Sequence, residues 1–224
     1  MISVQKFEPR LPRFTPASAE IGFSYHAISY TWGEETRSHH IWIGSERFPV
    51  TKNCYYALWQ ARKANAYKNI PLWIDSICIN QHNNEEKSSQ VSIMADIYAC
   101  ASRTYISVGP HRDDSEFLLS FLNHKAFSIP DAPVSVGDNG DYERLYQAAS
   151  AFCQRPYWNR AWIIQELAFS KTLLCMVGED IMHLWRLEEV INDPGRFCIP
   201  RNDRFLRPVE SLLRHRKILR TKNT

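Results

Sequence analysis

The sequence has no Cys-x-x-Cys pair, no Gly-x-Gly-x-x-Gly, no Gly-x-x-x-x-Gly-Lys-Ser/Thr and no long apolar run. Each absence narrows the function. Without a glycine-rich phosphate loop, Rossmann and P-loop nucleotide binding are disfavoured. The formal net charge is only +3, so the protein as a whole has no pull on nucleic acid or on an anionic membrane. Nucleic acid is therefore not an expected partner. The cysteines (Cys54, Cys78, Cys100, Cys153, Cys175, Cys198) are widely spaced and mostly sit among apolar neighbours. This is the pattern of reduced, buried thiols inside a cell, not of a disulfide frame or a zinc cluster. The N-terminus, MISVQKFEPRLPRF, lacks the apolar core of a signal peptide, and no window reaches membrane-spanning length. A soluble, cytoplasmic protein with no membrane span and no metal is expected.

What is present is ordinary for a folded domain. Hydrophobic residues make up 44% and charged residues 23%, with enough Trp, Tyr and Phe to fill a core. Residues 1–24, with Pro9, Pro12 and Pro16, read as an extended N-terminal segment. Tyr25–Tyr30 reads as a strand ending at Thr31-Trp32-Gly33, and 34–40 as a polar loop in which His39 and His40 are solvated. Ile41–Ile43 and Arg47–Val50 form a hairpin around Gly44-Ser45-Glu46. Thr51 caps a helix over about 52–66. LWIDSICIN (72–80) is β-branched and apolar, as in a strand covered on both faces, with Asp75 interrupting it. Asn83 and Glu86 have the spacing of a capping box opening a helix to about Ala101, with Val91, Met94, Tyr98 and Ala101 along its apolar stripe. Arg103–Val108 is a strand. Residues 111–150 form an insertion of helix, Pro/Gly-rich loop and helix. Pro156 heads a helix over 157–169. Thr172–Val177 is a strand, and 181–192 hold a short strand and a helix. The domain is expected to span 25–193. Residues 194–224 read as a basic tail, either a link to a missing downstream region or a trailing helix of the domain. The alternation predicts an α/β domain: a mainly parallel sheet flanked by helices, with an insertion around 111–150.

Within the 157–169 helix, Trp158, Trp162 and Glu166 would follow one another at i, i+4 spacing on a single face. A carboxylate sharing a face with two indoles is either paired inside the core or placed in a pocket for use. Arg160 and Arg155 are the candidate partners. Buried Asp75 reads as a hydrogen-bond acceptor for a loop or helix end, Asn80 and Gln81 as turn or cap residues, and Cys78 as an inert thiol.

Four pieces in order, ISYTWG (28–33), LWIDSICINQ (72–81), EKSSQVSIMADIYACASR (86–103) and RAWIIQELAFS (160–170), resemble the fungal heterokaryon-incompatibility (HET) domain. One departure is visible: where the family often has Trp-Leu-Gly, this chain has Ser107-Val108-Gly109. HET domains in turn resemble TIR domains, which have a flavodoxin-like sheet. Trp73-Ile74-Asp75 matches the Asp-bearing strand of that fold, and Trp162 to Leu167 matches its Trp-Cys-x-x-Glu-Leu-like segment. The resemblance implies cell-death signalling in non-self recognition. It also implies an NAD-cleaving site with Glu166 as the catalytic acid. Tyr30, Trp32, Gly33, Asp75 and Trp162 would line the nucleotide site. NAD would be substrate, with no separate cofactor. Cleavage of the nicotinamide–ribose bond passes through an oxocarbenium-like state that one carboxylate can steady, with an indole as a wall for the cationic ring. The competing expectation is a non-enzymatic adaptor acting by self-association, alongside upstream or downstream signalling domains. A third is nucleotide or nucleic-acid sensing without turnover.

Overall fold

The computed structural model describes residues 3–4, 24–65, 70–125, 139–193, 197 and 206–222. Most of the expected N-terminal segment and the Pro/Gly-rich loop of the insertion lie outside them. Ser3–Val4 (β1) runs parallel to His39–Ile43 (β3), which forms an antiparallel hairpin with Glu46–Val50 (β4). The two histidines expected in a loop are thus part of β3. His39 bonds the Ser38 hydroxyl and His40 meets Arg47.

The main sheet holds His26–Tyr30 (β2), Leu72–Trp73 (β5), Arg103–Gly109 (β6), Leu173–Val177 (β7) and Asp180–His183 (β8). Their order is β5-β2-β6-β7-β8, with only β8 antiparallel. Counted along the chain within this sheet, that is 2-1-3-4-5, the flavodoxin-like order. Its topological switch point lies between β2 and β6, where the first and third strands meet.

Helix α1 (Lys52–Ala64) covers one face, setting Ala57, Leu58 and Ala61 against Ile28, Tyr30, Tyr105 and Met176. Thr51 caps it by accepting from the Cys54 amide at 3.2 Å. After β5, Asp75–Cys78 (α2) is a single helical turn. The expected strand over 72–80 therefore stops at Trp73. Asp75 accounts for the difference: its carboxylate accepts from the Ser76 amide and its carbonyl from Ile79, a local arrangement that outweighs the β propensity of the isoleucines. Next come α3 (Asn84–Ser92) and α4 (Met94–Cys100). Asn83 caps α3 through the Glu85 and Glu86 amides, while the Glu86 carboxylate reaches Asn80 instead of closing the box on Asn83. The one helix expected to Ala101 breaks at Ile93. Only its second half, with Met94, Ile97 and Tyr98, is buried against Ala27 and Trp73 on the other face of the sheet.

That second face continues under α5 (Ser115–Ser120), α6 (Asn139–Cys153), α7 (Ile163–Phe169), α8 (Leu184–Asn192) and α9 (Arg207–Lys222). The C-terminal basic stretch is not a detached tail: Val209, Leu212 and Leu213 of α9 join this core, and Arg216 donates to the Leu167 carbonyl. The helix expected over 157–169 is also divided. Pro156–Asn159 is a 3-10 turn, Arg160 is extended (φ −76°, ψ 138°), and α7 begins at Ile163. Trp158 is pinned back to the end of α6 by its indole N–H on the Phe152 carbonyl, which prevents one continuous helix. Ser107, which stands where relatives often have Trp, donates to Gln60 at 2.6 Å; the Gln60 amide in turn donates to the Gly178 carbonyl.

Gly178, after β7, has φ +56°, and a Cβ there would meet the His111 ring at 1.9 Å. Gly178→Ala is expected to lower stability by about 1–3 kcal/mol, read by urea unfolding, with the secondary structure retained.

Candidate functional site

The site grows from Ser29, a polar residue between Ile28 and Tyr30, which faces α7 at the carboxyl end of β2. It is buried, and its hydroxyl donates to the Glu166 carboxylate. A serine has one proton to give, so with Glu166 as acceptor its oxygen receives from Tyr157, 2.6 Å away, and from Arg160 at 3.2 Å. Arg160 also binds Glu166 as a fork, with Nη1 to Oε2 and Nη2 to Oε1 both at 2.9 Å. Both carboxylate oxygens are therefore occupied. The Glu166 side chain is 1% exposed and that of Arg160 16%. The guanidinium also lies 5.6 Å from the centre of the Tyr157 ring. Burial works against the Arg160 charge, but Glu166 and then Tyr157 outweigh it, and its affinity for the proton rises.

The second acid is near. Asp75 is half-buried, and its carboxylate accepts from the Trp32 indole N–H at 2.9 Å and from the Ser76 amide at 2.7 Å. Burial, and then the charge of Glu166, push its carboxyl up from 3.8 to about 6, while Trp32 and Arg160 hold it down. Gln81 donates to the Asp75 carbonyl at 3.0 Å, a turn contact as expected. Tyr30 is buried on the α1 side, beside Ser76 and Cys54, and burial raises its phenol strongly. Burial pushes the Cys78 thiol up to about 12, so it stays protonated and unreactive.

Of the residues expected at the nucleotide site, the structure gathers Glu166, Asp75 and Trp32, with Tyr30 beneath them. Trp32 and Trp162 are 42% and 48% exposed, so both indoles offer a surface. Gly33 is exposed with φ +69°, and an added Cβ would strike the Asn53 amide at 2.4 Å. Asn53 in turn donates to the Thr31 carbonyl, which gives Gly33 a structural reason of its own. Trp158 and Trp162 do not share a face with Glu166: Trp158 is in the core and Trp162 lies on the surface. Of the two arginines weighed as partners, Arg160 is the one bound. Arg155 donates to the Pro110 and Arg112 carbonyls instead. Ser29 and Tyr157 escaped sequence reasoning. A lone serine inside Ile28-Ser29-Tyr30 was the available signal for the first.

Residues 25–166 match the family model described as heterokaryon incompatibility protein (HET). The chain belongs to the HET family. Both key residues of the pair, Arg160 and Glu166, fall within the matched span. The chain is similar to heterokaryon incompatibility protein 6, OR allele, of Neurospora crassa, with 36% identity over 131 residues covering 54% of this chain and 19% of that protein. It is also similar to the mitochondrial outer membrane import complex protein METAXIN of Arabidopsis thaliana, with 28% identity over 122 residues, 50% of this chain and 37% of that protein. The chain thus spans well under half the length of the curated relatives it matches. No solved structure matches it. Among the described residues of this HET domain, no helix is long and apolar enough to cross a membrane.

Two outcomes follow from the geometry. Glu166→Ala leaves the Arg160 charge buried and unpaired, and is expected to cost about 3–5 kcal/mol in urea unfolding, most of it recovered in Arg160→Met/Glu166→Leu. Asp75 has a raised folded pKa, so the native state binds the extra proton. The contribution of Asp75 to stability is highest below pH about 4, falls as pH rises to about 6 and levels off above. Asp75→Asn, compared with wild type by thermal melting across that range, is expected to flatten this slope.

Proposed function

We propose that this HET domain is a cell-death module of fungal non-self recognition, and that it signals by self-association. The observation that carries the mode of action is the closed state of Glu166. Both of its oxygens are held by Arg160 and Ser29 behind a side chain that is itself mostly buried. A carboxylate that is paired in this way and 1% exposed is not open to a substrate. Exposed indoles support this reading: Trp32, Trp42, Trp162 and Trp185 are each more than a third exposed, and indoles are enriched at the energetic centres of protein interfaces.

A second reading, cleavage of NAD, is favoured by a separate observation. Asp75, Glu166 and the exposed Trp32 meet at the carboxyl end of β2, beside the switch point where open α/β sheets take ligands. In this reaction the bond between ribose C1′ and the nicotinamide nitrogen breaks. The electron pair stays on nicotinamide, which leaves neutral. Water adds to C1′ and releases a proton. Glu166, once uncovered, would steady the cationic sugar. The TIR-like placement of Glu166 supports this reading, and its closure at rest counts against it.

Self-association and killing in a fungal host separate the two. Trp42→Ser/Trp185→Ser is expected to weaken self-association and abolish killing with the melting temperature unchanged. Glu166→Gln, if folded, is expected to kill as wild type does. Killing that follows NAD loss and disappears in folded Glu166→Gln would reverse the order of the two readings.

A further inference from the structure

Arg160 lies on the solvent side of Glu166 and covers it. Its neighbours Asn159, Ala161 and Trp162 are all exposed, and its own backbone is extended between two helical pieces. Residues 159–162 are therefore a surface strap from which the Arg160 guanidinium is the side chain that turns inward. Its anchors are Glu166, Ser29 and the Tyr157 ring. Beside this pair lies a second acid: the charge of Glu166 raises the Asp75 carboxyl and that of Arg160 lowers it. One exposed indole borders this group: Trp32 is bonded to Asp75. A guanidinium is a flat, delocalised cation. In charge and shape it resembles a pyridinium ring, which indole faces also attract.

We propose that Arg160 is a removable counter-ion, occupying the place that the pyridinium–ribose part of a pyridine dinucleotide takes when the site opens. The inference rests on the NAD-cleaving reading. Arg160 is 16% exposed where Glu166 is 1%, so the guanidinium leaves toward solvent while the incoming cation takes over the pairing with Glu166. The acid needed for chemistry is kept neutralised until the strap moves, and self-association is the event that moves it. On this NAD-cleaving reading assembly is the trigger and the uncovered Glu166 is the output, in place of signalling by self-association alone. It also gives a reason for an arginine fork over a lysine, because a bidentate hold is tight while the flat group remains replaceable by another flat cation.

The test is nicotinamide release from NAD by the purified chain, at a concentration where the wild type is monomeric and again after it has been concentrated into assemblies. Arg160→Lys keeps the charge and loses the fork. It is expected to release nicotinamide about tenfold faster than monomeric wild type, the effect of one lost charge-assisted hydrogen bond. Adding Glu166→Gln should abolish that gain. Ser29→Ala, a smaller side chain that removes another anchor of the same guanidinium, is expected to move release in the same direction and covers the case in which Arg160→Lys unfolds. If assembled wild type cleaves NAD but neither folded variant exceeds the monomer, Arg160 is no guard and the proposal is overturned, with the NAD reading intact. If assembled wild type, Arg160→Lys and Ser29→Ala all release nothing, the NAD reading fails and the proposal fails with it.

Discussion

The Arg160–Glu166 pair is the contact around which this end of the molecule is arranged. It joins the strap after the 3-10 turn to helix α7, and through Ser29 it ties both to the first strand of the main sheet. Two ions out of water are stable only if their remaining hydrogen-bonding capacity is met, and Ser29 and Tyr157 meet it. From the opposite side α9 secures α7, with Arg216 bonded to the Leu167 carbonyl and paired with Glu188 of α8. The position of Glu166 is thus fixed by the adjoining strap and by two elements distant in sequence, β2 and α9. Such a carboxylate is well placed and, at rest, unavailable.

Much of the frame was legible in the sequence, and the reasons are local. β2, β6 and β7 are rich in apolar residues, and β6 and β7 end at Gly109 and Gly178, whose φ angles are positive. Thr51 and Asn83 capped the helices that their spacing announced. Alternating strands and helices gave the parallel sheet, and the four family pieces pointed to the HET family that the comparison then showed. Failures occurred where one side chain overrode a run of neighbours. Asp75 turned the chain into α2 although isoleucine dominates the segment. Trp158 found a partner in α6 and broke the helix that would have placed it above Glu166. Neither interaction has a sequence period, so neither could be read from spacing.

The site was half legible for the same reason. Residue types named Glu166, Asp75 and Trp32, and all three meet. Sequence could not choose between Arg155 and Arg160, because the choice depends on the extended backbone at Arg160, which sends its guanidinium to Glu166 while Arg155 turns toward Pro110 and Arg112. That choice alters the functional reading. With Arg160 in place the domain at rest is a closed body with exposed indoles, suited to assembly. With Arg160 displaced, as the NAD-cleaving proposal requires, Glu166 would be uncovered beside the switch point.

The most direct test of the closed pair is NMR of the Arg160 guanidinium in the monomeric domain at neutral pH. Two buried forked bonds to Glu166 require separate, slowly exchanging Nη proton signals that are protected from solvent and lost in Glu166→Ala. A single averaged signal exchanging as fast as that of an exposed arginine would contradict the pair, and with it the closed resting state.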